Sequence, residues 1–152
     1  MDIDIFKHAN DRHGHLHGDK VLVPLAKKLE SLASCVEDSH CARFGGDEFA
    51  LLLLNVSPQK ASIPAEELRA LFSAHAFEAD GNTVSISIGV ASLRTALDQP
   101  FETLISNADE ALYRAKQRGR NRVEIQPVWN PGTMAKNSAT SDQGMELQHT
   151  TI

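Results

Sequence analysis

The sequence predicts an α+β fold, and three observations predict it. One stretch alternates apolar and small residues strictly, two long stretches carry apolar residues at helical spacing, and one apolar run is interrupted by two glycines as a β-hairpin is. With 152 residues, 41% of them apolar and 23% charged, the chain is long enough to bury a core as one globular domain.

Taken in order, residues 1–4 (MDID) read as the end of a strand. From Asp19 to about Cys35, Val21, Leu22, Leu25, Ala26, Leu29, Leu32 and Ala33 recur at helical spacing, with Pro24 near the first turn, where it costs least. Residues 41–44 and 49–54 read as two strands around Gly45-Gly46-Asp47-Glu48, the glycines supplying positive φ and Phe44 and Phe49 anchoring the two arms. Pro64 followed by Glu66 and Glu67 marks a helix start, with Leu68, Leu71 and Phe72 as its apolar face. In residues 83–91, Val84, Ile86, Ile88 and Val90 alternate with Ser or Gly, so one face of a strand is buried. From Phe101 to Arg118 a second helix carries Leu104, Ile105, Ala108, Ala111, Leu112 and Ala115 on one stripe, and Gly119 is placed to stop it. A short strand, Val123-Glu124-Ile125, follows. After Pro127 the chain turns to small polar residues with no apolar period, so 1–126 is expected to be the domain and 127–152 a disordered tail.

Charge and composition exclude several classes. Fifteen basic against 20 acidic residues leave a formal charge of −5, which argues against non-specific binding to nucleic acid. No run approaches the roughly 20 apolar residues that a membrane-spanning helix needs. The first residues are charged from Asp2 onward and lack the apolar core of a signal peptide. Cys35 and Cys41 are too few for a disulfide framework, and reduced thiols in a cytoplasmic setting are the expectation, ahead of a metal site with His40.

Three separated segments hold polar residues that packing does not demand. In residues 2–19 (DIDIFKHANDRHGHLHGD), Asp2 and Asp4 lie on the same side of a strand end. Asp2 and the hairpin's Asp47 are hard oxygen ligands of the kind Mg²⁺ uses; a solvated strand end is the plainer alternative. His8, His13, His15 and His17 raise zinc, but they fall in what reads as a Gly-containing loop rather than at i, i+4 on a helix. In the hairpin, Gly45 and Gly46 can let a phosphate approach the backbone closely, with Asp47 and Glu48 at the tip; a solvated turn with charged gatekeepers explains the same letters. In residues 111–123 (ALYRAKQRGRNRV), Lys116 and Arg120 are four apart and can share one face to neutralise phosphates, or they mark an ordinary cation-rich helix C-terminus.

These strings, DIDIFKHANDRHGHLHGD, ARFGGDEF, VSISIGVA and NADEALYRAKQRGRNRV, together resemble the GGDEF domain of diguanylate cyclases, in the family's order over residues 2–125. The resemblance implies a palm-like, nucleotidyl-cyclase or ferredoxin-like α+β fold with an antiparallel-centred sheet. It implies a reaction, in which two GTP condense to cyclic di-GMP with release of two pyrophosphates. It also implies site residues. Asp2, the Ile3 carbonyl, Asp47 and Glu48 would hold Mg²⁺ or Mn²⁺. Glu48 or a neighbouring acid would take the 3′-hydroxyl proton, Asn10 and Asp19 would read guanine, and His15 would lie in the same substrate loop. Lys7, Lys116 and Arg120 would offset phosphate charge. The partner implied is a second GGDEF domain, each domain holding one GTP.

Two departures from the family pattern stand out. Where many members carry an Arg-x-x-Asp inhibitory site, this chain has Val36-Glu37-Asp38-Ser39, so tight product inhibition there is not expected. Family domains also begin further upstream with a full apolar first strand. The expectation is therefore an N-terminally truncated domain with a stub of that strand, for which a non-catalytic module binding GTP or a protein partner is the alternative to an active cyclase.

Overall fold

The computed structural model describes residues 1–74, 78–79, 82–94, 100–126 and 148–151. In chain order the elements are β1 (Asp2–Ile3), α1 (Phe6–His13), α2 (His15–Ala33), β2 (His40–Gly45), β3 (Glu48–Leu54), α3 (Pro58–Ala74), β4 (Glu78–Ala79), β5 (Asn82–Thr83), β6 (Ile86–Arg94), α4 (Phe101–Gln117), β7 (Val123–Ile125) and β8 (Gln148–Thr151). The main sheet runs β2, β3, then β1 and β8 sharing one lane, then β6 and β7. All pairings in it are antiparallel except β6–β7, as an α4 crossover between parallel strands requires.

Alternation along the strands sends side chains to two helical layers. Phe49, Leu51 and Leu53 of β3 and Ile86, Ile88 and Val90 of β6 join Val21, Leu25 and Leu29 of α2 and Leu68 and Phe72 of α3 in one buried cluster. Ala91 and Leu93 face the other way and pack with Leu104 of α4. The central strand β6 is thus buried on both faces, with Ser87 and Ala91 as inaccessible as Ile88. This corrects the expectation of one buried face: Ser, Gly and Ala alternate with Ile and Val there because α4 lies too close for larger side chains.

Several boundaries differ from the sequence reading. The helix expected from Asp19 is present but begins at His15, and residues 6–13 are helical too, the two separated at Gly14 with φ +79°, where a glycine-containing loop was expected around the histidines. Their polar composition hides them, because α1 buries little beyond Phe6 and Ala9. Since α2 begins at His15, Pro24 lies in its middle, on the exposed side, where the carbonyl that loses its partner can be hydrated. Helix α3 starts at Pro58, and Pro64 sits inside it; the Ser57 hydroxyl accepts the Lys60 amide at 3.3 Å, an N-cap followed by proline at the first helical position.

The largest correction concerns the expected disordered tail. Residues 148–151 form β8, paired with β3 (Leu52 opposite Thr151, Leu54 opposite His149) and with β6 (Ala91 opposite Thr151, Arg94 opposite Gln148); residues 127–147 lie outside the described residues. Strand β1 pairs the same two neighbours in the same sense, with Asp2 opposite Glu48 and Ser87. The offset from Asp2 to Thr151 is four residues on both β3 and β6, so β8 and β1 lie on one line. A single strand position of the sheet is filled from both ends of the chain.

Candidate functional site

The site grows from the point where β1 meets the hairpin. Met1 and Phe49 exchange both backbone hydrogen bonds, the Met1 amine donating to the Phe49 carbonyl at 2.9 Å and the Phe49 amide donating to the Met1 carbonyl at 3.0 Å. The next residue, Asp2, stands opposite Glu48, and directly opposed side chains on one face are close neighbours. The Ile3 amide donates to the Asp47 carbonyl at 3.3 Å. Asp2, Ile3, Asp47 and Glu48 therefore gather at the foot of the β2–β3 turn.

On this face α4 brings a cation to the acids. Lys116 Nζ lies 2.8 Å from an Asp2 carboxylate oxygen. Asp2 is 8% exposed, and burial raises its pKa above the ordinary carboxylate value, with Asp47 and Asp4 adding to the rise and Lys116 opposing it. The buried Met1 amine is lowered from 8.0 to about 6, chiefly by desolvation. Asp2 and Asp4 are both buried, which overturns a solvated strand end.

Arg120 is not on the helical face expected for it. Helix α4 ends at Gln117, and the chain then passes through Gly119 at φ +107°, Arg120 at +62° and Asn121 at +45°. Arg120 is exposed beyond this turn, brought near the end of α4 by its amide bonding the Ala115 carbonyl at 3.0 Å.

The hairpin's glycines also need a different reason. Neither Gly45 nor Gly46 has positive φ, and a Cβ built on either meets nothing within 4 Å. Neither the backbone nor local packing demands glycine there; what its absence of side chain leaves is open access to the turn's main chain. The turn is held instead by Arg43, which sequence reading missed: its Nε and Nη2 donate to the Gly46 carbonyl at 3.2 and 2.7 Å, and its guanidinium lies 5.8 Å from the Phe49 ring centroid. Phe49 is buried as expected, whereas Phe44 is 65% exposed and anchors nothing. It lines a cavity of about 330 Å³ with Met1, Glu48, Gly89, Lys116 and Thr151.

The residues expected to read a base lie on the other side of the hairpin. Asp19, with Leu22, Arg43 and Phe49, lines a second cavity of about 260 Å³. Asn10 Oδ1 is buried with no donor, pressed against Gly18, where a Cβ would collide with that oxygen and with the Phe6 ring. Gly18 is a second residue missed from sequence, since a helix-interior glycine signals nothing until α1 is seen packed on α2. Lys7 is exposed on α1; His15 opens α2. Among the described residues no three His, Cys, Asp or Glu side chains converge on a common point, and no helix is long and apolar enough to cross a membrane.

Comparison with known proteins gives a consistent result. The family described as "Diguanylate cyclase, GGDEF domain" matches residues 1–122. Diguanylate cyclase A of Treponema denticola is 40% identical over 127 residues, covering 82% of this chain and 33% of that protein. A diguanylate cyclase of Vibrio cholerae is 41% identical over 126 residues, covering 82% and 38%. The chain thus spans about a third of the length of these relatives. Among solved structures, the active GGEEF domain of a Vibrio cholerae diguanylate cyclase superposes with a TM-score of 0.72 at 39% identity, covering 82% of this chain and 78% of that one. The GGDEF domain of DgcB from Caulobacter crescentus, in complex with c-di-GMP, gives 0.73 at 30%, covering 82% and 74%.

Proposed function

The chain belongs to the GGDEF domain family, and from that premise we propose that it encodes a diguanylate cyclase, condensing two GTP into cyclic di-GMP and two pyrophosphates where two such domains face each other. The observation that carries this reading is the Asp2–Glu48 pair opposed across β1 and β3 with Lys116 at 2.8 Å from Asp2. It is a cluster of opposite charges beside an open turn.

The donor set fits a small divalent ion. Asp2, the Ile3 carbonyl, Asp47 and Glu48 are hard oxygen donors, and Mg²⁺ typically takes one or two carboxylates, with waters and substrate phosphates completing its shell. Any two of these carboxylates would suffice for such a shell. Bound Mg²⁺ or Mn²⁺ would ease loss of the 3′-hydroxyl proton and offset charge on the attacked α-phosphate. Glu48, exposed at the head of β3, or a neighbouring acid would accept that proton. Lys116 and Arg120, with Lys7 from α1, neutralise the charge that develops on the phosphates, and the bare Gly45–Gly46 turn lets those phosphates reach its main chain. On the other side of Arg43, the Asp19 carboxylate would accept from the N1–H and 2-amino donors of guanine, and the Asn10 amide, its oxygen turned in against Gly18, would donate to O6, with His15 in the same segment of chain. Adenine would leave such acceptors unmatched, a discrimination worth several kcal/mol, about 10⁴-fold at sites built this way.

A module that binds GTP or a protein partner without turnover is the second reading, favoured by the 8% exposure of Asp2, which leaves its carboxylate little open surface for an ion. The deciding experiment incubates the chain with GTP and Mg²⁺, alone and fused to a dimerising segment, and assays cyclic di-GMP. Product from the fusion supports the cyclase; GTP binding without product from either form supports the module and refutes the cyclase. Because the family reaction needs two facing domains, the free chain is expected to be far slower than the fusion.

A further inference from the structure

Asp4 takes no part in the chemistry above, yet it is among the most enclosed charged side chains, at 3% exposure. Its carboxylate accepts three hydrogen bonds. The Ser85 hydroxyl donates at 2.6 Å, the Ser87 hydroxyl at 2.7 Å and the backbone amide of Asn121 at 3.1 Å. Its own amide donates to the Ser85 carbonyl at 2.8 Å. Ser87 lies in β6 and Ser85 just before it, whereas Asn121 belongs to the loop after α4, separated from Asp4 by 117 positions of chain.

That loop carries three successive residues with positive φ, two of them not glycine, a conformation side-chain-bearing residues hold only when their surroundings impose it. It is tied also to α4, through the Arg120 amide and the Ala115 carbonyl at 3.0 Å, to β6, through the Ile88 amide and the Arg122 carbonyl at 2.9 Å, and to α3, where the Asn121 side-chain carbonyl oxygen accepts from Arg69 Nη1 at 3.0 Å and from the Ser73 hydroxyl at 2.8 Å. On the near side of Asp4, Ile5 turns the chain into α1 at φ +54°, a rare conformation for a β-branched residue. Asp4 therefore sits between two constrained turns. One leads from Asp2, and the other leads from Lys116 through Arg120.

We propose that Asp4 is a positioning residue that latches the 119–122 loop to the end of β1, so that the acid that would hold the metal and the cations that would hold the phosphates keep a fixed separation. The inference rests on the cyclase reading for its consequence but not for its geometry. Two serine hydroxyls hold the carboxylate's orientation, and the free lone pair is aimed at one main-chain amide. One oxygen, Oδ2, takes both the Ser85 hydroxyl and the Asn121 N–H; Asn at this position keeps the volume but offers them a neutral amide oxygen, whose hydrogen bonds are about half as strong as a carboxylate's, and sets a donor against the Ser87 hydroxyl.

The test uses the whole chain and Asp4→Asn. Amide exchange is read first. In the unmodified chain the Asn121 amide should exchange as slowly as that of Leu29, buried in the middle of α2, and in Asp4→Asn it should exchange at least about tenfold faster while Leu29 keeps its protection. Fast exchange at Asn121 in the unmodified chain, or unchanged exchange in the variant, overturns the latch without reference to nucleotide. Binding is read second, with a non-hydrolysable GTP analogue and with GMP, each with Mg²⁺. Asp4→Asn should weaken the triphosphate about tenfold and GMP by less than about twofold, and Asp4→Asn with Arg120→Ala should be no weaker than Arg120→Ala alone. Equal weakening of both ligands, or independent addition of the two substitutions, overturns the positioning role. An unmodified chain that binds neither ligand would sink the cyclase reading and leave the exchange result to decide the latch.

Discussion

Gly89 offers the sharpest check on how the sheet positions α4. A Cβ at this position would collide with the Ala108 carbonyl oxygen and the Leu112 amide nitrogen and would stand 3.0 Å from the Leu112 Cα. All three are main-chain atoms of α4, so no rotamer change relieves them and the helix itself must move off β6. Overpacking of this kind costs about 1–3 kcal/mol. Here the upper end applies, because Leu104, Ala111 and Ala115 are all fully buried on the same helix and shift with it. Against this, Gly→Ala restricts the unfolded chain and recovers about 0.4–1 kcal/mol, leaving Gly89→Ala destabilised by about 2 kcal/mol. The same movement carries Lys116, one turn beyond Leu112, away from Asp2. The assay is urea unfolding followed by far-ultraviolet circular dichroism, with the slope checked for constancy. A midpoint indistinguishable from the unmodified chain would refute the close α4–β6 contact and, with it, the reason small residues line that face of β6.

Two further outcomes are expected. Gly46→Ala makes the same chemical change where the added methyl meets nothing, so its unfolding midpoint should stay level or rise by the equivalent of about 0.5 kcal/mol, while affinity for a GTP analogue falls; a variant that loses stability, or binds as before, contradicts the reading of the turn as an open approach. Thr150→Pro places a residue without N–H in the middle of β8, opposite Leu53 and Ser92, and proline is not tolerated between two paired strands; a loss of about 1–3 kcal/mol in urea unfolding is expected, and an unchanged midpoint would mean that β8 does not hold its lane.

What the sequence disclosed and what it hid follow from how local each cause is. The stripe Leu104, Ala111, Ala115 is local, and α4 ends where Gly119 stops it. The β2–β3 hairpin is likewise legible from its apolar arms. Strand β8 is not: Gln-His-Thr-Thr has the polarity of a surface segment, whereas a lane covered by helices on both faces is ordinarily apolar. Only the pairing partners β3 and β6, far away in the chain, make a strand of it. The site divides the same way. Asp47 and Glu48 announce themselves by breaking an apolar run, but Asp4 is one more acid beside Asp2 until Ser85, Ser87 and Asn121 converge on it. Arg120 shows the converse, since its i, i+4 spacing from Lys116 suggests a shared helical face while Gly119 ends the helix between them. What returns the Arg120 main chain to the end of α4 is the loop, through the Arg120 amide on the Ala115 carbonyl and the Asn121 amide on Asp4, two contacts that no helical spacing signals.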